Sequence, residues 1–196
     1  MSTLILASGS QIRRTTLASA GVTFDVRPSR VDEDAIKKAK QELSPADMAC
    51  LLAKEKACEV SALYPEAYVL GADQTMELDG ALLDKLPQRD LARQRLINMR
   101  GKMHYLHSGL VLSKAGKSVW ELAESSKLYV RDFSDAFLDH YLQEAGDELT
   151  ASVGAYAYEG LGAQLFDKVE GDFYSITGLP LLPLMAALRQ FDVIQS

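Results

Sequence analysis

Hydrophobic and polar positions change period several times along the chain, and each change marks an element. Leu4-Ile5-Leu6-Ala7 is a short continuous apolar run, which predicts a buried strand. Ser8-Gly9-Ser10 breaks it, and from Ile12 to Ala18 the spacing turns helical, with Ser10 as N-cap and Gly21 as the stop. Residues 24–28 predict a second strand, followed by an acidic loop over 31–35. Ser44-Pro45 opens a long helix that reaches Leu63, with proline at its first position. Residues 67–73 read as a buried strand stopping at Asp73, and 75–84 as a hairpin turning on Asp79-Gly80. A helix is expected over 88–99, closed by Gly101. Residues 103–133 then predict two long strands joined at Ala115-Gly116. Ser134 caps a helix ending at Gly146, residues 154–166 and 172–178 look strand-like, and a last helix spans 181–191. The order is α/β of a mixed α+β kind, with no internal repeat and no linker.

Composition narrows the reading. With 196 residues, 47% hydrophobic and 24% charged, the chain suits one domain over 1–196 or two closely joined lobes. A net charge of −6 argues against a broad electrostatic grip on a nucleic-acid polymer or an anionic membrane, so an anion site must be local and concave. No apolar stretch approaches the roughly 20 residues of a membrane span. The first residues lack the basic flank of a signal peptide. Cys50 and Cys58 fall in one predicted helix, about 12 Å apart, too far to pair. Two free thiols favour a reducing compartment, and a cytoplasmic protein is expected.

The candidate chemistry begins at Ser8, Ser10, Arg13 and Arg14. Two arginines in a first helical turn add positive charge to a helix end that is already positive, at about 0.3–1 kcal/mol each. A small-residue loop entering that end suits a phosphate, held by arginine in a bidentate way; two solvated arginines on a surface helix are the other reading. In the long helix, Ala49, Leu52, Ala53, Ala57 and Val60 share one face. Lys56 sits within that stripe, whereas Lys54 points away. An inward lysine needs a carboxylate or a phosphate, unless it snorkels from the stripe's edge. Asp73 closes an apolar strand, where α/β folds commonly mount function. With Glu33 and a phosphate it would form a hard oxygen site suited to Mg²⁺, although acidic loops are usually just solvated. Lys85 is a further loop cation. The three histidines offer no chelating spacing, so zinc is not expected.

These stretches, taken in order and spacing, resemble one family over nearly the whole chain: the Maf-like nucleoside triphosphate pyrophosphatases. LASGSQIRRTTL, VDE at 31–33, LAKEKA at 52–57, VLGADQ at 69–74, DK at 84–85, GAYAYEGLGAQLF at 154–166 and ITGLPL at 176–181 carry the likeness. The resemblance implies a single Maf-like, inosine-triphosphatase-like domain. Its fold would be an elongated mixed β-sheet with flanking helices and two lobes around a deep nucleotide cleft, usually as a homodimer. It also implies cleavage of a nucleoside triphosphate to the monophosphate and pyrophosphate with a divalent cation, Mg²⁺ or Mn²⁺. By position, Asp73 is the proton acceptor that activates water, and Arg13, Lys56 and Lys85 hold phosphates. Ser8, Ser10 and Arg14 line the loop, and Glu33 joins Asp73 at the metal.

Base choice in the family is tied to two positions, occupied here by Gln74 and Glu159. That pair resembles the branch associated with 7-methyl-GTP, whereas the dTTP/UTP branch has Thr and Gln. Guanine N1–H and its exocyclic amine are adjacent donors that suit a carboxylate, and N7 methylation makes the ring cationic. The sequence departs from the family at Ile12, where the methylguanine branch can carry an aromatic residue. It departs also at Gln11, at Asp84-Lys85-Leu86-Pro87 with its displaced proline, and at Val153. The alternatives are a dTTP/UTP or broader pyrophosphatase, and a nucleotide-binding regulator of septum formation with little turnover.

Overall fold

Leu4, Ile5 and Leu6 form β1 (Leu4–Leu6) and are all buried, because the strand is flanked by parallel neighbours on both sides. These are β2 (Asp25–Val26) and β3 (Tyr68–Leu78). β4 (Ala81–Leu83) folds back antiparallel on β3. β5 (Met103–Lys114) and β6 (Lys117–Val130) follow, and β7 (Phe166–Glu170) pairs antiparallel with β6. Among the described residues the sheet has seven strands, ordered β2-β1-β3-β5-β6-β7, with β4 off that path. The computed structural model describes residues 3–86 and 88–195; Pro87, the displaced proline, lies outside them.

The helices are α1 (Gln11–Ser19), α2 (Glu33–Ala39), α3 (Pro45–Leu63), α4 (Ala92–Met99), α5 (Asp135–Glu144), α6 (Glu148–Ala151), α7 (Phe173–Ile176) and α8 (Leu181–Gln190). Among the described residues none is long and apolar enough to cross a membrane. The chain divides into two compact units. One comprises Met1–Gln74, His107–Glu124 and Asp172–Ser196, and the other Thr75–Leu106 and Ser125–Gly171.

In the first unit the strands present two apolar faces, as a pleated strand must. Leu4, Leu6, Leu70 and Leu110 pack with Leu17 of α1 and Leu184 of α8. Ile5, Ala7 and Val69 meet Val60 of α3, and Val111 meets Ala53 and Ala57. The predicted stripe of α3 is thus the buried one. Two glycines let its backbone lie directly on the sheet. A Cβ at Gly71 would stand 2.1 Å from the Ala53 carbonyl oxygen, and one at Gly109 2.5 Å from that of Ala49. In the second unit Leu96, Leu128, Phe133, Leu138, Tyr141 and Leu149 are fully or almost fully buried.

Most element boundaries agree with the hydrophobic pattern, including the α3 cap, where the Ser44 hydroxyl accepts from the Asp47 N–H. Cys50 and Cys58 are free thiols in α3. Four readings are corrected. The acidic stretch is not a loop: Asp32 accepts from the Ala35 N–H and caps α2, with Glu33 and Asp34 in its first turn and Lys37 and Lys38 in its last. That charge order matches the helix dipole. β3 does not stop at Asp73 but runs to Leu78, because a buried carboxylate with a cationic partner need not end a strand. Residues 154–165 are turns and a short 3₁₀ helix (Leu161–Leu165), and only Phe166 onward is strand. The strand-like 172–178 contains α7, nucleated by Asp172, whose carboxylate accepts from the N–H groups of Tyr174 and Ser175. A capped turn here overrides an alternating apolar pattern.

Candidate functional site

The first unit brings three of the expected residues to one point. Lys56 and Asp73 are each only 8% exposed. The Lys56 ammonium lies 2.6 Å from Asp73 Oδ1 and 2.7 Å from Glu33 Oε1. Three elements build this contact: α2 supplies Glu33 at its first position, α3 supplies Lys56, and β3 supplies Asp73. Gly71 sits two residues before Asp73 on the same face of β3, and a Cβ there would stand 2.1 Å from the Ala53 carbonyl oxygen and 2.8 Å from Ala57 Cβ. That approach sets Lys56 within reach of the strand. Burial pushes the Asp73 carboxyl above its ordinary range, against the pull of Lys56 and Arg13, while Glu33 adds to the rise.

Arg13 is the second anchor. Its Nε donates to the Gly178 carbonyl at 2.9 Å, and its Nη1 donates to the Ala72 carbonyl at 2.9 Å and to Ser8 Oγ at 3.3 Å. Burial lowers the pKa of the guanidinium, opposed by Asp73 and then Glu33, and it stays cationic. The sequence reading pointed both arginines at an anion; Arg13 also ties α1 to the strand that carries Asp73. Ser8 is buried and its hydroxyl accepts from the Ser10 N–H at 3.2 Å. Ser10 does occupy the N-cap, but its side chain makes no capping bond. The first-turn N–H groups of α1 are therefore not satisfied by that hydroxyl, which leaves the helix start suited to an anion. Ile12 and Arg14 are half-buried in the same turn, and Arg14 Nε is buried with no partner among the described residues.

Gln74 follows Asp73 and, by the strand's alternation, faces the opposite side of the sheet. Its amide nitrogen donates to Ser108 Oγ, the Ser175 carbonyl and the Ile176 carbonyl, at 3.1, 3.0 and 3.2 Å. Its oxygen borders Gly178, where an added Cβ would come within 3.5 Å of it and 3.3 Å of Arg13 Nη2. Lys85 and Glu159 belong to the second unit and are exposed. Lys85 follows β4, and Glu159 lies in the turn before the 3₁₀ helix. Glu159 has an acidic neighbour: burial, and after it the charge of Glu159, raises the Glu148 carboxyl.

Among the described residues there is no group of three or more His, Cys, Asp or Glu side chains placed to hold a metal. Glu33 and Asp73 form a pair of hard oxygen donors. That fits a divalent cation that completes its shell from phosphate oxygens and water, as Mg²⁺ commonly does. Sequence reasoning missed Gly71, Ser108 and Gly178. A glycine inside an apolar strand and a serine inside a buried run were the available signals.

The family model described as Maf-like protein matches residues 3–191. A nucleoside triphosphate pyrophosphatase of Maricaulis maris is 61% identical over 196 residues, covering 100% of both chains. One of Caulobacter vibrioides is 47% identical, covering 94% of this chain and 93% of its own. A 7-methyl-GTP pyrophosphatase of Bartonella henselae is 43% identical, covering 99% and 98%. With the matched region spanning almost the whole chain and the buried Lys56–Asp73 pair at its centre, the protein belongs to the Maf-like family.

Proposed function

We propose that this chain hydrolyses a nucleoside triphosphate to the monophosphate and pyrophosphate, with 7-methyl-GTP as its preferred substrate. Full-length likeness to nucleoside triphosphate pyrophosphatases supports a hydrolase acting on phosphoric anhydride bonds. The observation that carries the reading is Asp73, a buried carboxylate with its pKa raised, which strengthens it as a base at neutral pH. Asp73 takes a proton from the water that attacks the α-phosphorus. The bond between that phosphorus and the α,β-bridging oxygen breaks, and pyrophosphate leaves.

Phosphoryl transfer depends mainly on positioning and charge neutralisation. Lys56, Arg13 and Lys85 supply positive charge, and Ser8, Ser10 and Arg14 surround the helix start where phosphate oxygens are favoured. Glu33 and Asp73 would hold Mg²⁺ or Mn²⁺, which neutralises phosphate charge when bound. Gln74 and Glu159 read the base, and the 7-methyl-GTP pyrophosphatases among the relatives favour that choice. The protein acts in the cytoplasm as a homodimer. The test is pyrophosphate release with Mg²⁺ or Mn²⁺ from the common nucleotides, 7-methyl-GTP, dTTP and UTP. Preferential release from 7-methyl-GTP is expected. Preference for dTTP and UTP would reassign the substrate, and tight binding with no release from any nucleotide would make the chain a regulator.

A further inference from the structure

We infer that Ser108 is a positioning residue. It fixes the Gln74 amide with the carbonyl oxygen outward, so that the site selects bases carrying a ring N–H. This rests on the reading of Gln74 as a base-contacting residue. Ser108 is 2% exposed, in β5. Its hydroxyl donates its one hydrogen to the Ser175 carbonyl at 3.2 Å and accepts from Gln74 Nε2 at 3.1 Å. The same nitrogen lies against the carbonyls of Ser175 and Ile176. Those oxygens accept and cannot donate, and the Ser108 hydrogen is already committed. Reversing the amide would set its oxygen against three oxygens with no free hydrogen among them. Ser108 and Ser175 are each 2% exposed and Ile176 4%, so water has little access to relieve that.

The arrangement holds because β5 is itself held. Gly109, the next residue, rests on α3 at a distance that excludes any Cβ, so Ser108 must face the opposite side, with Gln74. The outward group is then an acceptor alone. The N3–H of uracil and thymine matches it, as does guanine N1–H once a carboxylate takes only the exocyclic amine, whereas adenine N1 and cytosine N3 present a lone pair and are repelled.

The test is kcat/KM for pyrophosphate release from GTP, 7-methyl-GTP and UTP against ATP and CTP. The wild type, Ser108→Ala, Gln74→Ala and the double variant are compared. The wild type is expected to favour the ring N–H bases. In Ser108→Ala that preference should fall about tenfold, the worth of one such bond, through KM with kcat within twofold. In the Gln74→Ala background, Ser108→Ala should add nothing to the selectivity. An unchanged ratio in Ser108→Ala overturns the inference, as does an equal loss in both backgrounds, which would mark a merely structural serine. A wild type that treats ATP like GTP overturns it while leaving the pyrophosphatase reading intact. A wild type inert toward every nucleotide overturns both. Should the variants fail to fold, the wild type labelled with ¹⁵N-glutamine decides. The Gln74 side-chain N–H signals should exchange at least tenfold more slowly than those of exposed Gln41, and equal rates overturn the inference.

Discussion

Each unit buries a polar pair, and the two pairs solve burial in opposite ways. In the first, Lys56 and Asp73 stand 2.6 Å apart as an ion pair, with Glu33 on the same ammonium. In the second, His104 is fully buried against the Tyr156 hydroxyl at 2.7 Å, beside the Tyr156 and Phe166 rings, which also meet edge-on. No charged partner appears in its balance, so burial alone drives its pKa down to about 3 and it stays neutral. A neutral buried pair serves packing and specificity. A charged one is costly to hold and leaves a base and a cation ready for chemistry. On the proposed function, reactivity belongs to the first pair and stability to the second.

The sharpest break comes from Asp73→Asn. Asparagine keeps the shape and cannot accept the proton, so hydrolysis should fall by about 10³-fold, within the usual range for a lost general base. Nucleotide binding should survive, as titration calorimetry would show. Turnover within tenfold of wild type would remove Asp73 from the role of base.

Lys56→Met should cost about 10²-fold in kcat/KM and a few kcal/mol of stability, because it leaves two carboxylates without their shared cation. Lys54→Met, one residue pair away on the exposed face of the same helix, removes only a surface contact to Glu121 at 2.8 Å. It should change stability by no more than about 0.5 kcal/mol. Urea denaturation of both variants checks the contrast, and equal losses would erase it.

Gly71→Ala tests the support beneath the charged pair. Its Cβ would meet the Ala53 carbonyl, a backbone atom that cannot rotate away. α3 must shift, at about 1–3 kcal/mol, and Lys56 moves with it. Activity should fall more than the loss of stability explains at 25 °C; thermal melting and pyrophosphate release read the two separately.

Much of this was legible beforehand. The α3 stripe placed Lys56 inward because helical spacing fixes which residues share a face. The Ser44-Pro45 start was read from the local chemistry of a helix cap. The same chemistry was present and unread at Asp32 and Asp172, where carboxylates two or three residues ahead of free N–H groups made helices from segments taken as loop and strand. The end of β3 was misplaced because a charged residue was taken as a boundary, whereas its partner comes from another element, which no local pattern reveals. The Gln74–Ser108 contact spans 34 positions, and hydroxyl–amide pairs leave no periodic trace. Charge and amphipathicity were readable; the direction of an amide was not.

The smallest effect sharpens the comparison from the neutral side. In the unfolded chain His104 titrates near 6.5, whereas in the folded protein it resists protonation down to about 3. Below pH 6.5 the unfolded state therefore binds a proton that the folded state refuses, so stability falls as pH falls through that window. The slope is at most about 1.4 kcal/mol per pH unit. The dependence fades within about one pH unit above 6.5. Tyr156 does not disturb this, since burial raises its phenol and keeps it neutral. His104→Phe fills the aromatic site but loses the bond to Tyr156, so it should be less stable than wild type by about 1 kcal/mol at pH 7. It also lacks the histidine's acid penalty, and the variant should overtake wild type about one pH unit below 6.5. Urea titrations from pH 7 to pH 4.5 would show the curves crossing. Parallel curves would mean that folded His104 takes up its proton as readily as the unfolded chain does, and the contrast between the two buried pairs would be lost.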